Sequence, residues 1–287
     1  MTYLLITTLI WSLSFTLIGS ILADLDPFLL ASLRLGIAAL CFAPFFRVGK
    51  CPPRSFLPLA GIGCLQFGVM YAAYLTAFQF APVYVVALFS SFTPLWIAGI
   101  SALIRRQASW HLFLASGLAT TGALVIRWGD PIQGEGIFTA FILMQIANVA
   151  FGGGQLAFRY WRKGHSEIRN LEVFLVPYLA AFFFSLTFAL GRHFFFAGEI
   201  TPPSPLQWLV IAYLGVIATG LGFFLWNKGA SLVPTSVLAA ANNLVVPLGI
   251  FFAIIFLDRP PSWIPFIIGS LCIFIAVIPF RKSKAIQ

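Results

Sequence analysis

Runs of about twenty apolar residues recur along the whole chain, separated by short polar connections, with no stretch long enough for a soluble domain between them. A helix needs ~20 apolar residues to cross a ~30 Å hydrocarbon core. Read on that criterion, the pattern predicts ten spans, at residues 3–22, 27–46, 56–78, 82–104, 110–127, 136–160, 172–190, 206–226, 234–257 and 263–280. Proline falls in the first turn of several of them, Pro82 and Pro234 included, where its missing N–H costs nothing. The expected fold class is an all-α integral membrane protein of ten transmembrane helices.

Composition agrees: hydrophobic residues make up 60% of the 287 residues and charged ones 9%, against ~25% charged in an ordinary soluble domain. The net charge of +9 is not a nucleic-acid footprint, because the bases sit in short loops and form no patch. With the N-terminus in the cytoplasm, the inner segments hold thirteen of the seventeen bases: Arg47, Lys50, Arg54, Arg105, Arg106, Arg159, Arg162, Lys163, Arg169, Lys228, Arg281, Lys282 and Lys284. The outer loops hold three, Arg127, Arg192 and Arg259, together with six of the eight acids: Asp24, Asp26, Asp130, Glu135, Glu199 and Asp258. Such asymmetry sets orientation and predicts both termini in the cytoplasm. Residues 1–22 lack a basic leading region and read as a first span, not a cleaved leader. The cysteines Cys41, Cys51, Cys64 and Cys272 show no paired spacing, so neither a disulfide nor a metal is expected.

The two halves resemble each other. A shift of 152 residues lays Gly63, Gly68, Ala77 and Pro82 over Gly215, Gly220, Gly229 and Pro234, and Tyr74 over Trp226. A shift of 153 lays Pro94 over Pro247, Ser109-Trp110 over Ser262-Trp263, and Ser90 over Asn243. The expected organisation is therefore a first five-helix repeat, 1–130, and a second, 131–287, together forming one transport domain. An odd number of spans per unit inverts the second unit, an arrangement found in carriers that bind substrate near the midplane at the repeat interface.

Polar residues inside spans are costly unless they meet a partner or a wet cavity. In the sixth span Gln145, Asn148, Gly152, Gln155 and Arg159 recur at helical spacing on one face, which predicts a cavity lining; bonding to neighbouring helices is the plainer alternative. Arg34 interrupts the second span. It suits a substrate carboxylate or, equally, carbonyls at helix ends. Gln66, Met70 and Tyr74 share a face of the third span. Trp11, Tyr71, Tyr74, Trp96, Tyr213 and Trp226 offer an aromatic cage or ordinary packing. Ser90 and Asn243 precede Pro94 and Pro247 by four residues, and those prolines loosen the helix there. Of the adjacent pair Asn242 and Asn243, the reading assigns Asn243 to the cavity and Asn242 to a neighbouring helix. No Asp or Glu lies mid-span, which argues against carboxylate-relayed proton coupling.

Enzyme chemistry has no foothold. The three histidines lie at span ends or in loops, and no nucleophile elbow, metalloprotease helix or phosphate loop occurs. No cofactor is expected. The partners expected are a small-molecule substrate and the lipid bilayer, with no nucleic acid; the sequence leaves the oligomeric state open, a monomer included.

Ten spans in two halves, a first span ending in "IWSLSF", an arginine in the second span, and Pro82 and Pro234 heading the fourth and ninth helices together resemble the drug/metabolite transporter superfamily, EamA family. The strings "ITTLIWSLSF" (6–15), "LQFGVMY" (65–71), "MQIANVAF" (144–151), "LGVIATGLGFFLWNKGA" (214–230) and "NNLVVP" (242–247) resemble that family's biotin importers. The resemblance implies a secondary transporter taking up biotin or a similar small carboxylate by alternating access. An exporter of amino acids or other small metabolites on the same scaffold is the alternative. The substrate-contacting positions it implies are Gln66, Tyr71, Gln145, Asn148, Trp226, Asn227, Asn242, Asn243 and Arg34. Trp11, Tyr74 and Ser90 join them from the residue-level reading.

Overall fold

The structure, a computed structural model, describes residues 1–129, 132, 134–196, 202–257 and 261–278. Among the loop charges, Asp130, Glu199, Asp258, Arg259, Arg281, Lys282 and Lys284 lie outside the described residues. The described residues are helical with no strand among them. Among the described residues, eight helical segments are long and apolar enough to cross a membrane: α1 (Thr2–Ile21), α2 (Pro27–Phe45), α3 (Pro53–Ala77), α4 (Val83–Arg105), α6 (Ile137–Lys163), α7 (Asn170–Phe195), α8 (Pro205–Ala230) and α9 (Thr235–Phe252). The helix of α9 runs on to Leu257. Two shorter apolar helices, α5 (Trp110–Ile126) and α10 (Trp263–Val277), complete the order. The fifth and tenth expected spans are thus helices, but their 17 and 15 residues fall below the ~20 of a full crossing.

Helix starts follow the sequence. Pro27 opens α2 behind Asp26, whose carboxylate accepts from the N–H groups of Phe28 and Leu29 at 2.9 Å each. Pro205 opens α8 behind Ser204, which forms a reciprocal capping box with Gln207.

Packing pairs α2 with α7, α5 with α10, α3 with α6, and α1 with α8; α8 and α3 also pack on α2 and α7 respectively. Where helices cross closely, glycine is the reason. A Cβ on Gly122 of α5 would stand 2.6 Å from the Gly269 carbonyl oxygen of α10. One on Gly215 of α8 would stand 2.7 Å from Ile37 of α2, and Gly63 of α3 meets the Pro177 backbone of α7 in the same way.

Besides the 3₁₀ end of α2 (Ala43–Phe45) and the interruption of α7 at Phe174, four stretches among the described residues depart from regular α geometry. α3 and α8 each contain a π-helical stretch, Cys64–Val69 and Leu214–Leu221. α4 breaks between Ser90 and Thr93, and α9 tightens to 3₁₀ at Asn242–Leu244. Pro94 and Pro247, each without an N–H to donate, stand just beyond the two breaks.

Candidate functional site

Two of these stretches, the broken middle of α4 (Ser90, Thr93) and the 3₁₀ turn of α9 (Asn242), line one cavity of about 110 Å³. It lies between α1, α2, α3, α4, α6, α8 and α9. Its walls are mostly aromatic and aliphatic, contributed by Trp11, Phe15, Met70, Tyr71, Tyr74, Met144, Phe151, Phe223 and Trp226; its polar groups are few and come from Arg34, Asn148, Asn242, Ser90, Thr93, Thr8 and Ser14. Apolar walls with a few placed polar groups are what small-molecule sites look like, though ~300–1,000 Å³ is the usual size. The cavity is contracted by comparison, and admitting a ligand requires its walls to move. A larger cavity of about 610 Å³ adjoins it, lined among others by Ser12, Thr16, Tyr84, Arg127 and Ser262; Phe15 and Val245 line both.

Arg34 is the single charge in the wall and is 2% exposed. Its Nη2 donates to the Tyr71 hydroxyl at 2.7 Å and its Nε to Thr219 Oγ1 at 3.3 Å. The two hydroxyls lie 3.0 Å apart, and the guanidinium carbon stands 4.4 Å from the Tyr71 ring centre. Nη1 has no partner among the described residues. A hydrogen-bonded strut thus holds one side of the fork and leaves the other unengaged. Thr219 sits in the π stretch of α8, where the widened turn releases backbone carbonyls. Trp11 Nε1 donates to the Ala218 carbonyl at 2.9 Å, and the Tyr178 hydroxyl reaches the carbonyls of Thr219 and Gly220 at 2.9 and 2.7 Å.

The amides are also held. Asn148 donates to the Phe89 carbonyl at 2.8 Å and accepts from Thr93 Oγ1 at 2.9 Å, so α6 is bonded to the broken middle of α4. Asn242 donates to the Leu238 carbonyl at 2.8 Å. Trp226, 1% exposed, donates from Nε1 to Gln155 Oε1 at 2.8 Å and packs against Trp11 at 4.9 Å between ring centres. Tyr74 packs edge-on against Phe15 at 5.4 Å, and the Ser90 hydroxyl bonds back to the Ala87 carbonyl at 2.7 Å.

Of the residues singled out in the sequence, the cavity brings together Arg34, Tyr71, Tyr74, Ser90, Asn148, Trp226, Asn242 and Trp11. It does not include Gln66, Gln145 or Asn243, nor Trp96 and Tyr213. Gln66 falls in the π stretch of α3. The wider turn rotates it off the Met70–Tyr74 face and into the α6 contact, where it packs on Gly154. Gln145 accepts from Trp96 Nε1 at 2.8 Å, at the edge of the helix pair.

The assignment within "NN" is reversed. Asn242 lines the cavity, while Asn243 donates to the Ser91 carbonyl of α4 at 3.0 Å. The 152-residue shift holds through this point, pairing Ser90 with Asn242 and Ser91 with Asn243, and the extra residue enters only before the prolines. The polar face of α6 likewise divides: Asn148 lines the cavity, whereas Gly152 packs on Ile97 and Gln155 bonds Trp226. Thr8, Ser14, Thr93 and Thr219 were not singled out from sequence. Helical Ser and Thr can bond their own preceding turn, as Thr8 does to Leu4 at 2.6 Å and Ser14 to Ile10 at 3.0 Å, so they carry no burial penalty visible in a sequence.

The EamA-like transporter family matches residues 1–128 and 138–280. The chain belongs to that family. It is a multi-pass membrane protein of a transporter family, not an enzyme. A protein of Escherichia coli (strain K12) named "Biotin transporter" is 32% identical over 289 residues, covering 99% of this chain and 94% of that one. A Pseudomonas aeruginosa protein named "Probable biotin transporter" is 36% identical over 253 residues, covering 87% and 86%. A crystal structure at 19% identity matches with a TM-score of 0.74 over 96% of this chain and 95% of that one, a likeness that speaks to the fold alone. For an EamA-like transporter, a cavity enclosed by spanning helices and carrying a charge is where cargo is expected.

Proposed function

We propose that this EamA-like protein takes up biotin, or a similar small carboxylate, across the bacterial inner membrane by alternating access, with the substrate held in the Arg34 cavity. The observation that carries this is the half-engaged guanidinium. No Asp or Glu occurs mid-span to neutralise Arg34, which lines an apolar aromatic chamber while its buried Nη1 has no partner among the described residues. An anion with an apolar body completes such a site. The Asn148 and Asn242 carboxamides offer both donor and acceptor groups to a ureido ring, and the rings of Trp11, Tyr74 and Trp226 suit an apolar bicycle. The names of the E. coli and P. aeruginosa relatives support the same cargo.

The mechanism rests on ten membrane spans in two inverted halves, 1–130 and 131–287, with both termini cytoplasmic. Exchanging each helix with the one five places on maps the α1–α8 contact onto α6–α3, and α2–α8 onto α7–α3; it maps α2–α7 and α5–α10 onto themselves. The same exchange pairs the π stretch of α3 with that of α8, and the broken α4 with α9. A two-fold relation of this kind lets one half adopt the conformation of the other, which is what alternating access requires. The inner-facing excess of bases supplies the orientation.

Uptake of labelled biotin into a biotin-requiring strain lacking its own importer, together with binding to the purified protein, tests the reading. Micromolar biotin should bind and should restore growth. If it does neither while the protein is present in the membrane, the biotin reading is wrong; outward movement of preloaded amino acids would then favour export.

A further inference from the structure

The cavity is closed on one side by Trp226, and beyond it lies a set of polar atoms that the site described above does not use. Gln66 of α3 is 0% exposed, and neither its Oε1 nor its Nε2 has a partner among the described residues. Gln155 of α6, also 0% exposed, gives its oxygen to Trp226 and has no partner for Nε2. Arg159, one turn further along α6, is 7% exposed with Nη1 unpartnered among the described residues. Gln66 meets α6 at this level: Gly154, adjacent to Gln155, has no side chain, and Gln66 fills that space. Asn148, Gln155 and Arg159 follow one another on one face of α6, and at ~1.5 Å rise per residue they extend ~16 Å from the cavity wall toward the helix end. That end carries Arg162 and Lys163.

Unsatisfied polar atoms inside a membrane cost several kcal/mol each, and interhelical bonding is not what repays these. Their order matches the chemistry of the cavity itself: amide groups, then an arginine with an unengaged N–H. On the other side, the cavity adjoins the larger one that ends at Arg127 and Ser262. We infer that Gln66, Gln155 and Arg159 form a second substrate subsite on the cytoplasmic leg of the path, sealed in this conformation by Trp226 bonded to Gln155. When the Trp226 indole swings away, Gln155 Oε1 is released to join the already unpartnered Nε2. The cargo's amide groups then pass to Gln155 and Gln66, and its carboxylate exchanges Arg34 for Arg159. This rests on the alternating-access reading and not on the identity of the cargo.

The test needs no ligand. Gln66→Cys and Arg159→Cys are each placed in a chain whose four native cysteines are replaced by serine, and inside-out vesicles are treated with a membrane-impermeant thiol reagent. With Trp226 intact both reporters should label slowly. Trp226→Phe keeps a ring and loses the bond to Gln155, and should raise labelling at least threefold; Trp226→Ala should raise it tenfold or more. If one reporter does not fold, the other decides. Rapid labelling with Trp226 intact, or less than a threefold rise in both variants, overturns the inference. Biotin uptake by the parent is read alongside, so failure of the cargo assignment registers separately from failure of the sealed path.

Discussion

Replacing Arg34 with Met keeps the length and apolar stem of the side chain and removes its charge and donors. Of the five guanidinium N–H groups, the structure commits one to Tyr71 and one to Thr219. The Nη1 edge remains for two charge-assisted bonds to a carboxylate, each ~1.5–3 kcal/mol. Truncating one partner of a buried charge pair typically costs ~2–5 kcal/mol in all. At ~1.4 kcal/mol per tenfold, biotin binding should weaken about 30- to 4,000-fold. The diagnostic arm is biotinamide, which has no carboxylate. It should bind the parent weakly and bind Arg34→Met about as well as it binds the parent. Scintillation proximity on purified protein measures all four affinities. If Arg34→Met loses biotin and biotinamide by the same factor, Arg34 is a structural strut and the carboxylate assignment fails. If biotin binding changes less than threefold, the anion is held elsewhere.

Tyr71→Phe removes the hydroxyl bonded to both Arg34 and Thr219; binding should weaken ~5- to 30-fold, the equivalent of ~1–2 kcal/mol, with the carboxylate preference reduced in the same equilibrium assay. Asn242→Ala should weaken substrate binding at unchanged thermal stability. Asn243→Ala, which breaks the bond to Ser91, should instead lower stability by ~0.6–1.7 kcal/mol while binding holds, as differential scanning fluorimetry and binding titration on the same samples will report. Gly122→Leu forces a side chain into the Gly269 carbonyl at the α5–α10 crossing, and overpacking of this kind costs ~1–3 kcal/mol or more; an unshifted unfolding temperature in detergent would show the crossing to be loose.

The positions of the helices were legible because apolar run length and proline placement act locally. The irregular stretches were not. Nothing in "CLQFGV" or "LGVIATGL" announces a π turn; in the second, the released carbonyls of Ala218, Thr219 and Gly220 are repaid by distant donors, Trp11 and Tyr178. One widened turn is enough to move Gln66 off the cavity face. The reversal of Asn242 and Asn243 has the same origin: the sequence places the extra residue of the second half before the amides, and the structure places it after them. Arg34, Asn148 and Trp226 were recoverable, because a charge or amide mid-span stands out against hydrocarbon. Thr219, which holds the arginine, was not, since a threonine is indistinguishable from helix filler until its partner is known.

Arg34 also bears on the energetics of flux. A carboxylate paired with it makes the loaded cavity neutral, whereas cargo released alone inside has carried one negative charge inward. Against an inside-negative potential this costs ~2.3 kcal/mol per 100 mV, close to a fifty-fold concentration ratio in the wrong direction. On the uptake reading proposed above, and with no acidic side chain mid-span to bring a proton along, entry of the bare carboxylate runs inward only while something in the cytoplasm keeps it scarce. The carrier's speed would then be set as much by whatever reaction consumes its cargo as by the protein itself.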